Sequence, residues 1–180
     1  MLKKLIGTMA VAALIAAPAR QAAAQISKGY TDVGVVVGLG NIGDAGASFG
    51  GRFERIFKEL PDLGNGLLGI GVSADYYSYG NRFVGYGYDY TVIPIGATAN
   101  YHFKLENKKV DLFLGAGLGY QVISCEYNGV GGSIDFCDNS AIYFIGRAGG
   151  RYFLNPNLAL YGDVGAGAAT LNVGLTFKLR

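Results

Sequence analysis

The chain has 180 residues, 51% of them hydrophobic and 16% charged, with 30 glycines, 13 tyrosines, 10 phenylalanines and no tryptophan. That apolar and aromatic content excludes a disordered chain, and four prolines with no glycine period of three exclude collagen. Past residue 20 no uncharged apolar run approaches about 20 residues, which argues against a helical membrane protein.

The chain opens on Lys3 and Lys4, then the apolar stretch Leu5 to Ala17, then the small residues Ala22-Ala23-Ala24. This order is that of a secretory signal peptide over residues 1–24, cleaved after Ala24, with one domain over 25–180. An N-terminal membrane anchor is the competing reading, but the apolar stretch is too short to span about 30 Å of hydrocarbon. No cysteine lies near the cleavage point, so no lipoprotein anchor is expected. Removal of Lys3, Lys4 and Arg20 takes the formal charge from +2 to −1, and nothing points to nucleic acid as a partner.

From residue 30 the hydrophobic period is two. Val33, Val35, Val37 and Leu39 alternate with Asp32, Gly34, Val36, Gly38 and Gly40. Phe49, Gly51, Phe53 and Phe57 oppose Ser48, Gly50, Arg52 and Glu54. Leu68, Ile70, Val72, Ala74 and Tyr76 oppose Gly69, Gly71, Ser73, Asp75 and Tyr77. The fourth segment runs from Ile93 to Phe103 on one face, with Pro94 to Lys104 on the other. The fifth sets Leu112, Leu114, Ala116, Leu118, Tyr120 and Val122 against Asp111, Phe113 and three glycines. The sixth carries Ile142, Phe144 and Tyr152 against Arg147 and Arg151, and the seventh carries Leu158, Leu160 and Val164 against Tyr161 and Asp163. The last sets Leu171, Val173, Leu175, Phe177 and Leu179 against Asn172, Thr176 and Lys178. Eight segments of about 9–13 residues each match the length of tilted membrane-crossing strands. The fold class expected is all-β: an eight-stranded antiparallel transmembrane up-and-down barrel.

The connections alternate too. Asn41–Gly46, Tyr77–Tyr90, Ser124–Ser140 and Gly165–Thr170 form one set; Lys58–Asn65, Glu106–Lys109 and residues 155–157 form the other. The two longest fall in the first set, which is therefore expected outside the cell, with short turns in the periplasm.

Alternation alone also fits a soluble barrel with its apolar face inside. The polar face here carries Arg52, Glu54, Asp75, Asp111, Arg147, Arg151 and Asp163, which a soluble eight-stranded core cannot accommodate. The apolar face is thus expected to meet lipid, with these seven residues as a paired network in the lumen. Aromatics gather at strand ends, with Phe57, Tyr101, Phe103, Tyr152 and Phe177 toward the periplasm and Tyr76, Tyr90 and Tyr120 toward the outside, as interfacial girdles do.

The stretch from Ile93-Pro94-Ile95-Gly96 to Tyr101-His102-Phe103, with Val110-Asp111-Leu112 through Gly119-Tyr120, resembles the small outer-membrane β-barrel superfamily. That group holds the OmpA transmembrane domain, OmpX, OmpW and the opacity-type proteins. Leu158-Ala159-Leu160-Tyr161 and Leu171 to Phe177 resemble its closing hairpin. The resemblance implies an integral protein of the Gram-negative outer membrane, exported by the general secretory pathway. The implied partners are outer-membrane lipids and lipopolysaccharide, with periplasmic chaperones and the barrel-assembly machinery during biogenesis. One departure is the ending Phe177-Lys178-Leu179-Arg180, where such proteins usually close on an aromatic residue.

Few residues carry chemistry. His102, the single histidine, falls on the lumen-facing parity, with no nucleophile beside it; an interior or rim histidine is the expectation, against a catalytic one. Cys125 and Cys137 sit in one outer connection and are expected to form a disulfide, with two free thiols as the alternative. Gly38–Gly43 and Gly115–Gly119 precede no helix and are no phosphate loops. Glu126, Asp135 and Asp138 are read as solvated charge rather than a Ca²⁺ site. Tyr77, Tyr79, Tyr86 and Tyr88 form the candidate surface-binding cluster for an unidentified extracellular ligand. No cofactor, metal or catalysis is expected. The functional expectation is a structural and surface-interaction protein. The alternatives are a narrow channel or transporter for small or hydrophobic solutes, of the OmpW kind, and an enzyme acting on outer-leaflet lipids.

Overall fold

The computed structural model describes residues 26–83, 86–129 and 140–179. The expected signal peptide, Cys137, Asp135 and Asp138 lie outside the described residues, as do the side chains of residues 81–86.

Eight antiparallel strands close into a barrel in which each pairs with its sequence neighbours and the first with the last. They are β1 Thr31–Leu39, β2 Ser48–Leu60, β3 Gly66–Phe83, β4 Tyr86–Phe103, β5 Val110–Gly129, β6 Ala141–Asn155, β7 Leu158–Ala166 and β8 Leu171–Lys178. The seam is fully registered: Val33 stands opposite Phe53 on one side and Phe177 on the other. Closure leaves no unpaired edge in the wall, the condition for a sheet to lie in hydrocarbon. Below, the near end is the one that holds Tyr30 and Leu179, and the far end is the opposite one.

The parity expected for the two faces holds along the wall. Val35 is 61% exposed, Phe49 64%, Leu114 52% and Phe144 81%, all on the outside, whereas Asp32, Glu54, Asp111 and Arg151 are each at most 4% exposed. The hydrophobic effect would drive such an exterior out of water, so this surface is built to face lipid. Glycines on the inner face make room for long polar neighbours. A β-carbon at Gly149 would press on Asp163 and Phe113, and one at Gly69 would lie 2.9 Å from a Glu54 carboxylate oxygen.

Strand lengths depart from the expected 9–13 residues. The three central strands run to 18, 18 and 20 residues, while β8 has 8. The expected loop Tyr77–Tyr90 is therefore mostly sheet, and β5 carries the first six residues of the expected loop Ser124–Ser140. Tyr79 pairs with Tyr90, Asn81 with Tyr88, and Tyr88 with Tyr127, and only residues 84–85 separate β3 from β4. Tyrosine fits a pleated surface well, and this hairpin rises beyond the rest of the barrel. Among the described residues no pairing with β2 continues beyond Tyr76 and none with β6 beyond Gln121, so the described extension is a wall of β3, β4 and β5 at the far end.

Two register shifts, between Ile56 and Lys58 and between Phe153 and Asn155, sit at the near end. Each lies beside an apolar residue on the inner face, since Ile56 is 0% and Phe153 2% exposed.

Candidate functional site

The lumen holds two layers of charge. In the near layer Arg151 is the hub. Its guanidinium donates to Asp111 at 2.8 Å and, closely, to Glu54. Its Nε lies 3.0 Å from an Asp32 oxygen as an ion pair, without an aimed hydrogen bond. The Phe113 and Tyr161 rings flank the guanidinium at 5.5 and 5.7 Å, which suits a flat, weakly hydrated cation. His102 stands between the same carboxylates, Nδ1 at 2.9 Å from Asp111 and Nε2 at 3.0 Å from Glu54. Ionised carboxylates only accept, so the ring fits as the doubly protonated cation. That also brings three acids, Asp32, Glu54 and Asp111, nearer to balance with Arg151. Asn100 donates to Glu54 at 2.5 Å, and the Tyr30 hydroxyl donates to Asp32 at 3.1 Å. Burial, with Asp32 alongside, pushes the Tyr30 hydroxyl above the usual phenol range, so it stays a donor.

The second layer lies toward the far end. Arg52 pairs with Asp75 at 2.9 Å. Arg147 Nε donates to Asp163 at 2.7 Å, and its Nη1 donates to the Ala169 carbonyl at 2.5 Å. Asp163 also accepts from Asn172 at 2.9 Å and from the Tyr161 hydroxyl. Between the layers remains a cavity of about 60 Å³.

Each end of this polar column is closed by apolar side chains. At the near end Ile26, Tyr30, Ile56, Phe153 and Ala159 pack together, with Leu67 against them. At the far end Ile42, Tyr77, Val92 and Ala169 do the same. Ile42 belongs to the connection between β1 and β2, which folds over the mouth and leaves it 1% exposed. The turn needs positive φ at Asn41 and Gly43, and a β-carbon at Gly43 would meet the Tyr79 ring at 2.9 Å.

All seven residues expected in the lumen face it, and Asp32, His102, Tyr30 and Asn100 join them. Parity alone places Asp32 and His102 inside; their partners depend on how the strands are staggered. The tyrosine cluster is a ladder on the inner face of the far-end wall rather than a set of loop side chains. Ring centroids are 6.5 Å apart for Tyr77 and Tyr79, 5.1 Å for Tyr79 and Tyr90, and 5.1 Å for Tyr88 and Tyr127. Tyr77 is 8% exposed and belongs to the far plug, so it is no surface-binding residue; Tyr88, 38% exposed, is open to solvent. Tyr90 shares the inward parity and so is not part of a lipid-facing girdle. Tyr86 has no described side chain. Cys125 is buried at the foot of the wall. Among the described residues no group of His, Cys, Asp and Glu is arranged to hold a metal ion.

The closed eight-strand register, the inverted faces and the filled lumen together decide the architecture. The chain has the fold of the small eight-stranded outer-membrane barrels. Ail, the attachment invasion locus protein of Yersinia pestis, solved in complex with the heparin analogue sucrose octasulfate, is similar with a TM-score of 0.53 and 12% identity, over 85% of this chain and 100% of that one. The N-terminal β-barrel domain of Pseudomonas aeruginosa OprF is similar with a TM-score of 0.51 and 14% identity, over 84% of this chain and 98% of that one. Neisserial surface protein A is similar with a TM-score of 0.51 and 20% identity, over 83% of this chain and 95% of that one. No protein-family model matches the sequence, and no curated protein matches it. At these identities the small-barrel likeness is one of fold.

Proposed function

We propose that the protein is an integral barrel of the bacterial outer membrane with a structural and surface-interaction role, carrying neither solute traffic nor catalysis. In this reading the near end faces the periplasm and the far-end wall stands outside the cell. The observation that carries it is the double closure: apolar clusters at both ends of a lumen already filled by paired charges. A transporter needs a continuous path, and between the two charged layers the described residues leave a cavity of about 60 Å³. A catalytic His102 is disfavoured because both ring nitrogens already face carboxylates. What remains for function is the exposed far end, where Tyr88 lies on a rigid sheet rather than a loop. Rigid amphipathic rings are suited to contact with other molecules.

The test is display on cells. An epitope tag inserted at Gly46 is expected to be reached by antibody on intact cells, and one at Asn107 only after permeabilisation. Labelling at Asn107 on intact cells would reverse the orientation. A chain recovered wholly in the soluble fraction would remove the membrane reading altogether.

A further inference from the structure

Among the described side chains the rim charges are sorted by end. All six lysines of the described chain, Lys28, Lys58, Lys104, Lys108, Lys109 and Lys178, are exposed at the near end, with three exposed acids, Glu59, Asp62 and Glu106, among them. The exposed far-end charges with described side chains are Asp44, Asp89 and Glu126, all acidic. Arg55, exposed on the outer face of β2 opposite Thr31, adds a seventh near-end cation, and between the two rims the outer face is apolar. The polarity must therefore answer to what each end meets.

At the near end the turns between β2 and β3 and between β4 and β5 enclose a cleft of about 240 Å³. Its floor is apolar, with Leu67, Val110 and Phe153, and Lys104 and Lys108 stand on its rim. Phe103 lines it as well, yet is 41% exposed on the lipid side of β4. The cleft thus opens where the hydrocarbon surface gives way to headgroups. Glu59 and Asp111 also line it; Asp111 is held by Arg151 and His102, leaving the two lysines against Glu59 alone.

We propose that the near end is an anionic-phospholipid surface and that this cleft is its headgroup site. A lipid phosphate rests on Lys104 and Lys108, and the upper acyl chain lies along Phe103. Clustered lysines are drawn to anionic leaflets, and salt screens that attraction within a Debye length. The proposal rests on the membrane-barrel reading, and its experiment separates the two.

The barrel is folded into phosphatidylcholine vesicles, and folding is confirmed by heat-modifiable gel mobility. Spin-labelled phosphatidylglycerol and spin-labelled phosphatidylcholine are then compared for the fraction immobilised at the protein surface. At low salt the glycerol lipid is expected to be favoured by at least about three-fold, with the preference vanishing in molar salt. K104Q/K108Q should at least halve it and K104E/K108E should abolish it, while D44N/E126Q at the other end leaves it unchanged. Equal immobilisation of the two lipids, or a preference that survives K104E/K108E, overturns the proposal. A chain that never enters the vesicles overturns instead the membrane reading on which it rests.

Discussion

Arg151 shows what a single residue does in this interior. Its guanidinium answers three carboxylates and lies between two aromatic rings, so removing it strands like charges out of reach of water. Arg151→Met should lower stability by about 3–5 kcal/mol, the usual cost of breaking a buried pair. Arg147→Leu, which abandons Asp163, should act in the same direction, whereas Leu114→Ala on the outer wall leaves no charge behind and should cost much less. Urea titration of the vesicle-folded barrel, read by gel mobility, orders the three; a silent Arg147→Leu would refute the placement of the charges. The reverse substitution probes the other face. Leu114→Arg puts a cation in the lipid belt and should cost about 2–4 kcal/mol in the same titration.

Among the elements, the strands inside the bilayer were legible because lipid on one side and a polar lumen on the other impose a strict period of two. Where β3, β4 and β5 leave the membrane, that contrast fades. Ser78 and Gly80 can face outward in water as well as any apolar residue, so a continuing strand looks like a loop in the sequence. The plugs were hidden for a related reason: Ile56 and Phe153 are apolar residues on a polar face, marked only by the register shifts beside them. The identities of the lumen partners were hidden too. Asp111 reaches His102 across the β4–β5 pair, but Glu54 reaches Arg151 across the barrel, and no single strand records that stagger. At the head of β5 we expect a Cys125–Cys137 disulfide. Thiol alkylation should label neither residue until a reductant is added, and the reduced protein should keep its heat-modifiable mobility, since strand pairing holds the wall. Alkylation of both thiols without reduction would refute the bond.

The whole molecule is a wall around a column that is polar in the middle and apolar at both ends. In planar bilayers it should show no steady conductance. Ile42→Gly, which empties the far plug, should be silent as well, because the cluster around Tyr30 and Phe153 still closes the near end. Steady single-channel steps from the unaltered protein would favour the transport alternative. The unequal strands have a further consequence. The far rim is not a ring but a slope, tall along β3, β4 and β5 and low along β7, β8 and β1. The seven residues of β3 from Tyr77 to Phe83 add roughly 20 Å along the strand on the tall side. Seen from beyond its far end, the molecule has a back and a front. A visitor crossing the surface from the tall side meets the outward side of the sheet, while one arriving over β7 and β8 comes straight to the tyrosine ladder. In a crowded membrane, whichever neighbours stand in front would decide what reaches it.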